Sequence, residues 1–297
     1  MVTATHLADL DGLRDLAVGV AYRMVGSRTE AEDLAQEVLL RVEAAAGEQG
    51  LDNPEAFVTT VTTRLAIDHL RSARVRRERY VGPWLPEPVA TDPLADPSAG
   101  AALADSLSFA VLVVLERLSP LERAAFLLHD VFGYAHHEVA EVLGRSEAAC
   151  RQLVSRARRA VRGDRRRRAV APEAHRALLE RFLAAARHGD LDALESLLAD
   201  DAVLLSDGGP RRKAARHPIL GRDRVARFLR RVGPRVLADH VEPATINGAP
   251  GFRAYQAGAL HLVGTVEVDD SQVVAVHWVL NPDKLRWAVP PDPPQPG

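Results

Sequence analysis

The alternation of apolar and polar positions divides the chain into segments of different character. Residues 10–79 and 106–168 predict helices throughout, with apolar stripes and helix-start signals. Residues 80–105 lie between them and hold five prolines, which predicts a linker of extended character. The pattern therefore predicts two all-α parts joined by a stiff tether.

The rest of the chain, residues 172–289, follows a different pattern. One amphipathic helix is predicted over residues 175–198, and glycines and short β-branched runs such as residues 272–280 come after it. This order predicts a mixed α+β domain. The proline-rich end, residues 290–297, is predicted to be disordered.

Capping residues mark the helix starts. Ser27 lies three residues before Glu30, the spacing of a capping box, and Asn53 directly precedes Pro54 at a predicted first helical position. Ser119 begins a second capping box in the later helical part. These signals predict helices that begin near residues 28, 54 and 120.

A helix-turn-helix is predicted over residues 136–162, with its turn at Gly144–Ser146. Winding the second helix at 100° per residue places one apolar stripe at Cys150, Leu153, Val154, Ala157 and Val161. The opposite face and its flanks carry Gln152, Ser155, Arg156, Arg159, Arg151 and Arg158. Arginine can bind guanine and glutamine can bind adenine in a major groove, and the helix start at Ser146 offers amide donors to a phosphate. This helix is therefore a predicted DNA-recognition helix.

Charge is concentrated although the net charge of the 297 residues is only −2. Residues 145–168 hold ten arginines and two acids, and residues 64–79 hold six arginines and two acids. Two basic patches of this kind favour a polyanionic partner over a merely solvated surface. The single cysteine, Cys150, excludes internal disulfides, and no apolar run is long enough to span a membrane. We expect a cytoplasmic protein with no membrane partner.

Three stretches resemble the bacterial extracytoplasmic-function sigma factors: AEDLAQEVLLRV at residues 31–42, AFVTTVTTRLAIDHLRSARVRR at 56–77 and GYAHHEVAEVLGRSEAACRQLVSRARR at 133–159. The resemblance implies a promoter −10 domain over residues 1–79, a linker over 80–105 and a −35 domain over 106–168. It also implies two partners, core RNA polymerase and promoter DNA. The polymerase would be held at its beta-prime clamp and its beta flap.

The resemblance further assigns roles to individual residues. The face that binds the polymerase clamp would be Asp33, Gln36, Glu37 and Arg41. An ordinary solvated helix face fits the composition of that set equally well. The −10 element would be contacted through the arginines Arg64, Arg71, Arg74, Arg76 and Arg77. The −35 element would be contacted by the recognition helix.

A subfamily of these factors carries a WLPEP motif in the linker and a fused C-terminal domain of the NTF2-like, SnoaL-like type, here residues 172–289. WLPEP is present as Trp84, Leu85, Pro86, Glu87 and Pro88. The motif NPDKL is intact as Asn281, Pro282, Asp283, Lys284 and Leu285. The motif DGGGK is altered to DGGPRRK, which retains Asp207, Gly208, Gly209 and Lys213 but places Pro210 at the third glycine. Proline cannot take the positive φ of a glycine, so this loop is expected to differ.

These motifs predict a regulatory contact within the chain. Trp84, held between prolines, would be an aromatic anchor that docks on the NPDKL loop, with Lys284 meeting Glu87. The alternative is that Trp84 folds back on the first domain.

Two other functions remain open from the sequence. The C-terminal domain could be an enzyme with a small-molecule pocket, in which Asp207, His217 and His261 would be the catalytic candidates. It could also be the ligand sensor of a helix-turn-helix regulator. Neither reading explains the acidic helix at residues 31–42, and no paired-carboxylate or His/Asp spacing supports catalysis. We expect a non-enzymatic protein with no cofactor, and one cysteine with scattered histidines predicts no metal site.

Overall fold

The computed structural model describes residues 5–48, 51–78, 80–90, 108–164 and 170–289. Side chains are described in these ranges except at residues 5–9, 47–48, 74–78 and 162–164. The predicted tail, residues 290–297, and the second half of the predicted linker, residues 91–105, lie outside the described residues.

The chain divides into two compact units. The first, called the helical unit here, comprises residues 1–78 and 114–163, and the second, called the α+β unit, comprises residues 79–113 and 164–297. The described part of the linker, residues 80–90, therefore belongs to the same unit as the C-terminal domain. Two helical parts followed by a mixed domain is the fold class that the sequence predicts.

The helices of the first part of the chain follow the predicted pattern. They are α1 (Thr5–Val25), α2 (Arg28–Glu48), α3 (Pro54–Glu78), α4 (Phe109–Leu115), α5 (Pro120–Phe126), α6 (His136–Leu143) and α7 (Glu147–Asp164). A π-helical turn, Leu127–Val131, continues α5. The predicted caps are confirmed: Ser27 Oγ accepts from the Glu30 amide, Asn53 Oδ1 accepts from the Ala56 amide, and Ser119 forms a complete capping box.

Buried arginines join helices inside the helical unit. Arg123 on α5 is 2% exposed, donates from Nη1 to the carbonyl of Met24 at 2.5 Å and pairs with Glu116 at 3.0 Å. Arg23 is also buried, and burial lowers its pKa to about 10. Because Met24 lies in the last turn of α1, Arg123 satisfies a carbonyl that the helix itself leaves open.

The α+β unit is built on one six-stranded sheet. Its strands are β1 (Leu198–Asp207), β2 (Ile219–Leu220), β3 (His240–Ile246), β4 (Ala249–Gln256), β5 (Ala259–Asp269) and β6 (Gln272–Val279), in the order β2-β1-β6-β5-β4-β3. β1 and β6 pair in parallel, and the other neighbours are antiparallel. Strand β6 confirms the strand predicted over residues 272–280.

Three helices, α8 (Pro172–His188), α9 (Leu191–Leu197) and α10 (Arg222–Val236), belong to this unit. The single helix predicted over residues 175–198 was wrong, because two helices occupy that range. Gly189 ends α8 in the left-handed conformation at φ 66°, and the Asp190 carboxylate caps α9 by accepting from the Ala193 amide. The last residue of the range, Leu198, begins β1.

The sheet has an apolar cluster on each face. On one face Trp278 packs with Phe182, Leu194 and Leu229, which α8, α9 and α10 supply. The next residue of β6, Val279, points to the other face, where the cluster consists of Leu85, Phe109, Val113, Ile246, Val263, Val279, Leu285 and Ala288. Linker and α4 side chains thus complete the second core of this unit.

Candidate functional sites: a recognition helix and a docked linker

The faces of α7 are as the sequence predicts. Cys150, Val154, Ala157 and Val161 are buried, and Leu153 is partly buried against them. The residues on the opposite, exposed face are Gln152, Ser155, Arg156 and Arg159. Gly144 makes the turn at φ 60°, and Ser146 Oγ accepts from the Ala149 amide at the start of α7. The helix therefore presents donors and cations along one open face.

The two flanking arginines of α7 are engaged inside the helical unit. Arg158 binds both carboxylate oxygens of Asp130 through Nε, at 2.8 and 3.1 Å, and this bonding raises its pKa. Arg151 pairs with Glu147 one turn earlier. A phosphate that approached Arg158 would thus meet a guanidinium whose charge Asp130 already balances.

Arg64 on α3 binds the end of α6. Its Nε donates to the carbonyl of Val142 at 2.9 Å and its Nη2 to the carbonyl of Glu141 at 3.1 Å. Arg71 is exposed and pairs with Asp68 at 3.2 Å. The side chains of Arg74, Arg76 and Arg77 lie outside the described residues. Arg64 therefore caps a helix C-terminus in this structure, and its contact with DNA stays a prediction.

The predicted clamp-binding residues share one face of α2. Asp33, Gln36, Glu37 and Arg41 are all exposed, and Glu37 pairs with Arg41 at 2.6 Å. Leu40 lies among them and is 67% exposed, which makes the face partly apolar.

The WLPEP segment is extended and packed on the C-terminal domain. Leu85, Pro86, Glu87 and Pro88 are buried, and Trp84 is half-buried. The Lys284 ammonium lies 3.1 Å from the centroid of the Trp84 ring, a cation–π contact. The same ammonium donates to the carbonyl of Leu85 at 2.5 Å. Trp84 thus lies against the NPDKL loop, as the sequence predicts.

Asp207 is the centre of this contact. Its carboxylate is fully buried and accepts from four donors, two on each oxygen. Oδ1 accepts from the Tyr80 hydroxyl at 2.5 Å and the Gly209 amide at 3.0 Å. Oδ2 accepts from the Leu85 amide at 3.0 Å and from Lys284 Nζ at 2.7 Å. A buried carboxylate is stable only with such compensation, so the linker supplies half of what Asp207 needs.

Tyr80 closes the other side of this network. Its hydroxyl accepts from Asn281 Nδ2 at 2.8 Å, and its ring meets the Trp84 ring edge-on with centroids 4.9 Å apart. Burial raises the pKa of Tyr80, and the bond to Asp207 raises it further. The phenol therefore stays protonated as a donor to the carboxylate.

Lys284 binds Asp207. The sequence named Asp207 as a residue of the DGGPRRK motif but predicted Glu87 as the partner of Lys284, and a Lys284–Glu87 pair stays a prediction. Tyr80 and Asn247 were missed. Asn247 takes φ 51° at the turn between β3 and β4, its Oδ1 accepts from the Val89 amide, and its own amide donates to the Val89 carbonyl at 2.9 Å. The Asn247–Gly248 pair is a hairpin-turn signal that could have located the turn. Nothing local could have shown that the linker binds there.

The altered DGGPRRK loop keeps its two tight positions. Gly209 has φ 56°, and a Cβ there would lie 2.6 Å from the Asn281 side chain. A Cβ on Gly208 would lie 2.3 Å from the carbonyl of Arg212. Pro210 follows without a positive φ, and Lys213 is exposed. The proline is therefore accommodated, because the two glycines in tight positions both remain: Gly209 against Asn281 of NPDKL, and Gly208 against Arg212 within the loop.

The catalytic candidates occupy different environments. Asp207 is fully buried under the linker, His217 is exposed, and His261 on β5 is 7% exposed with a pKa that burial lowers. Over the described ranges, no group of three metal-ligating side chains is placed to hold a metal ion. No helix in the described part of the chain is long and apolar enough to cross a membrane.

Comparison with known proteins identifies relatives of this chain. The family described as sigma-70 region 2 matches residues 11–76, and sigma-70 region 4 matches residues 108–161. The chain is 40% identical over 294 residues to the ECF RNA polymerase sigma factor SigJ of Mycobacterium tuberculosis, with 94% of this chain and 93% of that protein covered. It is 32% identical over 281 residues to a probable ECF RNA polymerase sigma factor, SigI, of the same species, with 92% of each covered.

The structure also resembles a solved one. The crystal structure of the Mycobacterium tuberculosis extracytoplasmic function sigma factor SigJ superposes with a TM-score of 0.75 at 38% identity. The match covers 94% of this chain and 98% of that one, so it includes the C-terminal α+β domain.

Proposed function

Because this chain belongs to the extracytoplasmic-function RNA polymerase sigma factors, we propose that its C-terminal domain controls initiation through the docked linker. As a sigma factor the chain binds core RNA polymerase and promoter DNA and directs promoter-specific transcription initiation. We also propose which residues make these contacts and how the C-terminal domain affects them. The proposed limits are 1–79 for the −10 domain, 80–105 for the linker, 106–168 for the −35 domain and 172–289 for the C-terminal domain.

The recognition of the −35 element is assigned to α7. The exposed row Gln152, Ser155, Arg156 and Arg159 lies opposite a fully buried stripe, so the helix can enter a major groove without exposing its core. Arg156 is assigned to a base because it lies nearer than Arg159 to the start of α7, the end of a recognition helix that contacts base edges, and neither arginine has an acidic partner among the described residues. Arg158 is assigned to the phosphate backbone only when it leaves Asp130.

The polymerase contacts are assigned to two surfaces. The exposed face of α2 would bind the beta-prime clamp through Asp33, Gln36, Glu37 and Arg41, with Leu40 as its apolar centre. The −35 domain would bind the beta flap. The chain would then act where the polymerase is, in the cytoplasm.

Regulation is assigned to the Asp207–Lys284 contact, and this is the observation that carries the proposal. Residues 80–90 belong to the α+β unit, with four WLPEP residues buried and a linker amide and hydroxyl on the Asp207 carboxylate. A linker held in this way cannot move independently of the C-terminal domain. Sigma domains that must reach two promoter elements about 50 Å apart, one and a half helical turns, depend on what holds that linker.

A catalytic role for the third domain is not part of the proposal. Asp207 would be the natural acid, yet all of its accepting capacity in this structure goes to Tyr80, Leu85, Gly209 and Lys284. Asp207 therefore holds the linker in place, and a small-molecule ligand of this domain would act by changing how the linker docks.

Run-off transcription tests the function. Full-length protein and core polymerase should together produce transcripts from a pooled promoter library, and Arg156→Ala should lose the transcripts of its preferred −35 sequences. A chain that neither co-purifies with core polymerase nor yields any transcript from the library would exclude the function altogether.

A further inference from the structure

Helix α10 of the C-terminal domain carries a concentration of arginine that no assigned role uses. Its 15 residues include six arginines and one acid, Asp223. Arg222 has a structural task, since it binds Asp200 at 2.7 Å and the carbonyl of Leu198 at 2.9 Å. The other five are exposed: Arg224, Arg227, Arg230, Arg231 and Arg235.

Four of these arginines form one stripe. At 100° per residue, positions 224, 227, 231 and 235 fall within about 80° of each other and extend over about 16 Å of helix. The opposite face, with Val225, Ala226 and Leu229, is buried in the core. Gly233 fixes this orientation, because a Cβ there would lie 2.2 Å from the Ala186 carbonyl on α8. The stripe therefore points away from the domain.

The stripe is poorly neutralised. Arg227 reaches Asp223 at 3.5 Å, and both side chains are 69% exposed, so the pair is weak. Within the part of the chain that the structure describes, no carboxylate lies within ion-pair distance of Arg224, Arg231 or Arg235. Like charges one turn apart destabilise a helix, so an unpaired row of this kind is stabilised by a polyanion.

We propose that the α10 stripe binds the phosphate backbone of double-stranded DNA, as a third DNA contact beyond the −10 and −35 domains. A stripe of about 16 Å matches about five base pairs of duplex, at 3.4 Å per phosphate along each strand. Guanidinium groups bind phosphate oxygens in pairs, which suits arginine better than lysine. The contact is independent of sequence, because none of it reaches a base edge.

Charge and apolar placement distinguish DNA from other anionic partners. A membrane-surface helix needs its apolar face free to enter the lipid, whereas that face of α10 is packed inside the domain. A protein partner is usually met with apolar or aromatic residues among the charges, and Phe228 and Val232 pack against the core instead. The duplex backbone is the partner that needs only a row of cations.

The test is the salt dependence of duplex binding by the full chain. The variant Arg224→Gln/Arg231→Gln/Arg235→Gln is compared with a control of equal charge change on exposed arginines off the stripe, Arg176→Gln/Arg181→Gln/Arg216→Gln. Binding to a labelled, promoter-free duplex of about 30 base pairs is measured between about 50 and 200 mM salt. Each lost phosphate contact lowers the slope of log K against log salt by about 0.9, so the stripe variant should lose about 2.7.

The inference is supported if the stripe variant loses this slope, the control loses markedly less, and a matching Arg→Lys triple retains it. Equal slopes for the stripe variant and the wild type would overturn it, as would equal losses for the stripe variant and the control.

If the stripe variant lost binding to phosphatidylglycerol vesicles while its duplex binding was unchanged, the partner would be a membrane surface instead. The duplex carries no promoter, so the binding assay and the run-off assay test different claims. If the full-length protein yields transcripts but the stripe variant keeps the wild-type salt slope, only this inference fails. If the stripe variant loses slope but the full-length protein yields no transcript, only the proposed function fails. Thermal unfolding of each variant confirms that the fold is retained.

Discussion

Asp207 shows at the scale of single residues how the linker and the C-terminal domain depend on each other. Each oxygen of its buried carboxylate accepts one hydrogen bond from the linker and one from the C-terminal domain. Lys284 is the balancing cation, and it also covers the Trp84 ring and binds the Leu85 carbonyl. Removing any partner would leave a buried charge or donor uncompensated.

Lys284→Met keeps the length of the side chain and removes its charge. We expect the α+β unit to lose about 3–5 kcal/mol, the usual cost of breaking a buried ion pair, measured by urea unfolding. Limited proteolysis should show new cleavage within residues 80–90. The matched control is Lys213→Met, since the chain has two lysines and Lys213 is exposed.

Trp84→Ala should give the same proteolytic pattern, and the double variant Trp84→Ala/Lys284→Met should be no worse than the stronger single, because both break one contact. Additive losses, or digestion patterns that do not change in either single variant, would show that the two residues do not act together.

At the scale of secondary-structure elements, local chemistry decided what the sequence could predict. The starts of α2, α3 and α5 were predicted because Ser27, Asn53 and Ser119 each accept from an amide three residues away. The buried stripe of α7 was predicted because one helix carries it whole. The break between α8 and α9 was missed, since the apolar spacing continues across Gly189 while its left-handed φ ends the helix.

The docking site shows where such prediction stops. The motifs indicated that WLPEP and NPDKL meet, but Tyr80 and Asp207 are 127 residues apart and Lys284 and Asp207 are 77 apart. Opposite charges alone suggested Glu87 as the partner of Lys284. Only the fold of β1 against β6, which brings Asp207 beside the residues that follow Val279, shows which acid is buried there.

Helix α7 gives a prediction at this scale. Arg156→Ala should weaken −35 binding by roughly 1–3 kcal/mol and relax the base preference at one position. Arg158→Ala should weaken binding to all sequences alike and reduce its salt dependence, with a smaller effect because Asp130 already holds the side chain. Asp130→Asn releases Arg158 and should strengthen non-specific binding. Fluorescence anisotropy with a panel of single-base variants measures all three.

The contrast between the two arginines is the decisive part of that experiment. If Arg156→Ala and Arg158→Ala both lowered affinity without a change in base preference, the assignment of the faces of α7 would be incorrect.

At the scale of the whole molecule, the linker and α4 contribute side chains to the core of the C-terminal domain. The second apolar cluster of the α+β unit contains Leu85 from the linker and Phe109 from α4, both of which precede that domain in sequence. A chain ending at Arg168 lacks the sheet on which these residues pack. Its linker would therefore be unconstrained while the DNA-binding helices remain.

Transcription by that truncated chain gives the sign of the regulation. We expect Lys284→Met and Trp84→Ala to change the run-off yield in the same direction as truncation after Arg168, because all three release the linker. Lys213→Met should leave the yield at the wild-type level. Opposite signs for truncation and the point variants would mean that the domain acts on the polymerase by another route.

The Asp207 carboxylate also sets how strong a signal must be before this protein responds. Undocking the linker keeps the Asp207–Lys284 pair within the domain but removes the Tyr80 and Leu85 donors from the carboxylate. A buried polar group that loses a donor costs about 1–3 kcal/mol, and each 1.4 kcal/mol changes a population about tenfold, so the undocked form is the minor one at rest. The two linker bonds fall on different oxygens of one carboxylate, and losing either leaves that oxygen short of a donor while it is still buried, which favours release of both together. A ligand or partner whose binding favours the undocked form by less than this free-energy difference leaves most molecules docked. The response therefore has a threshold.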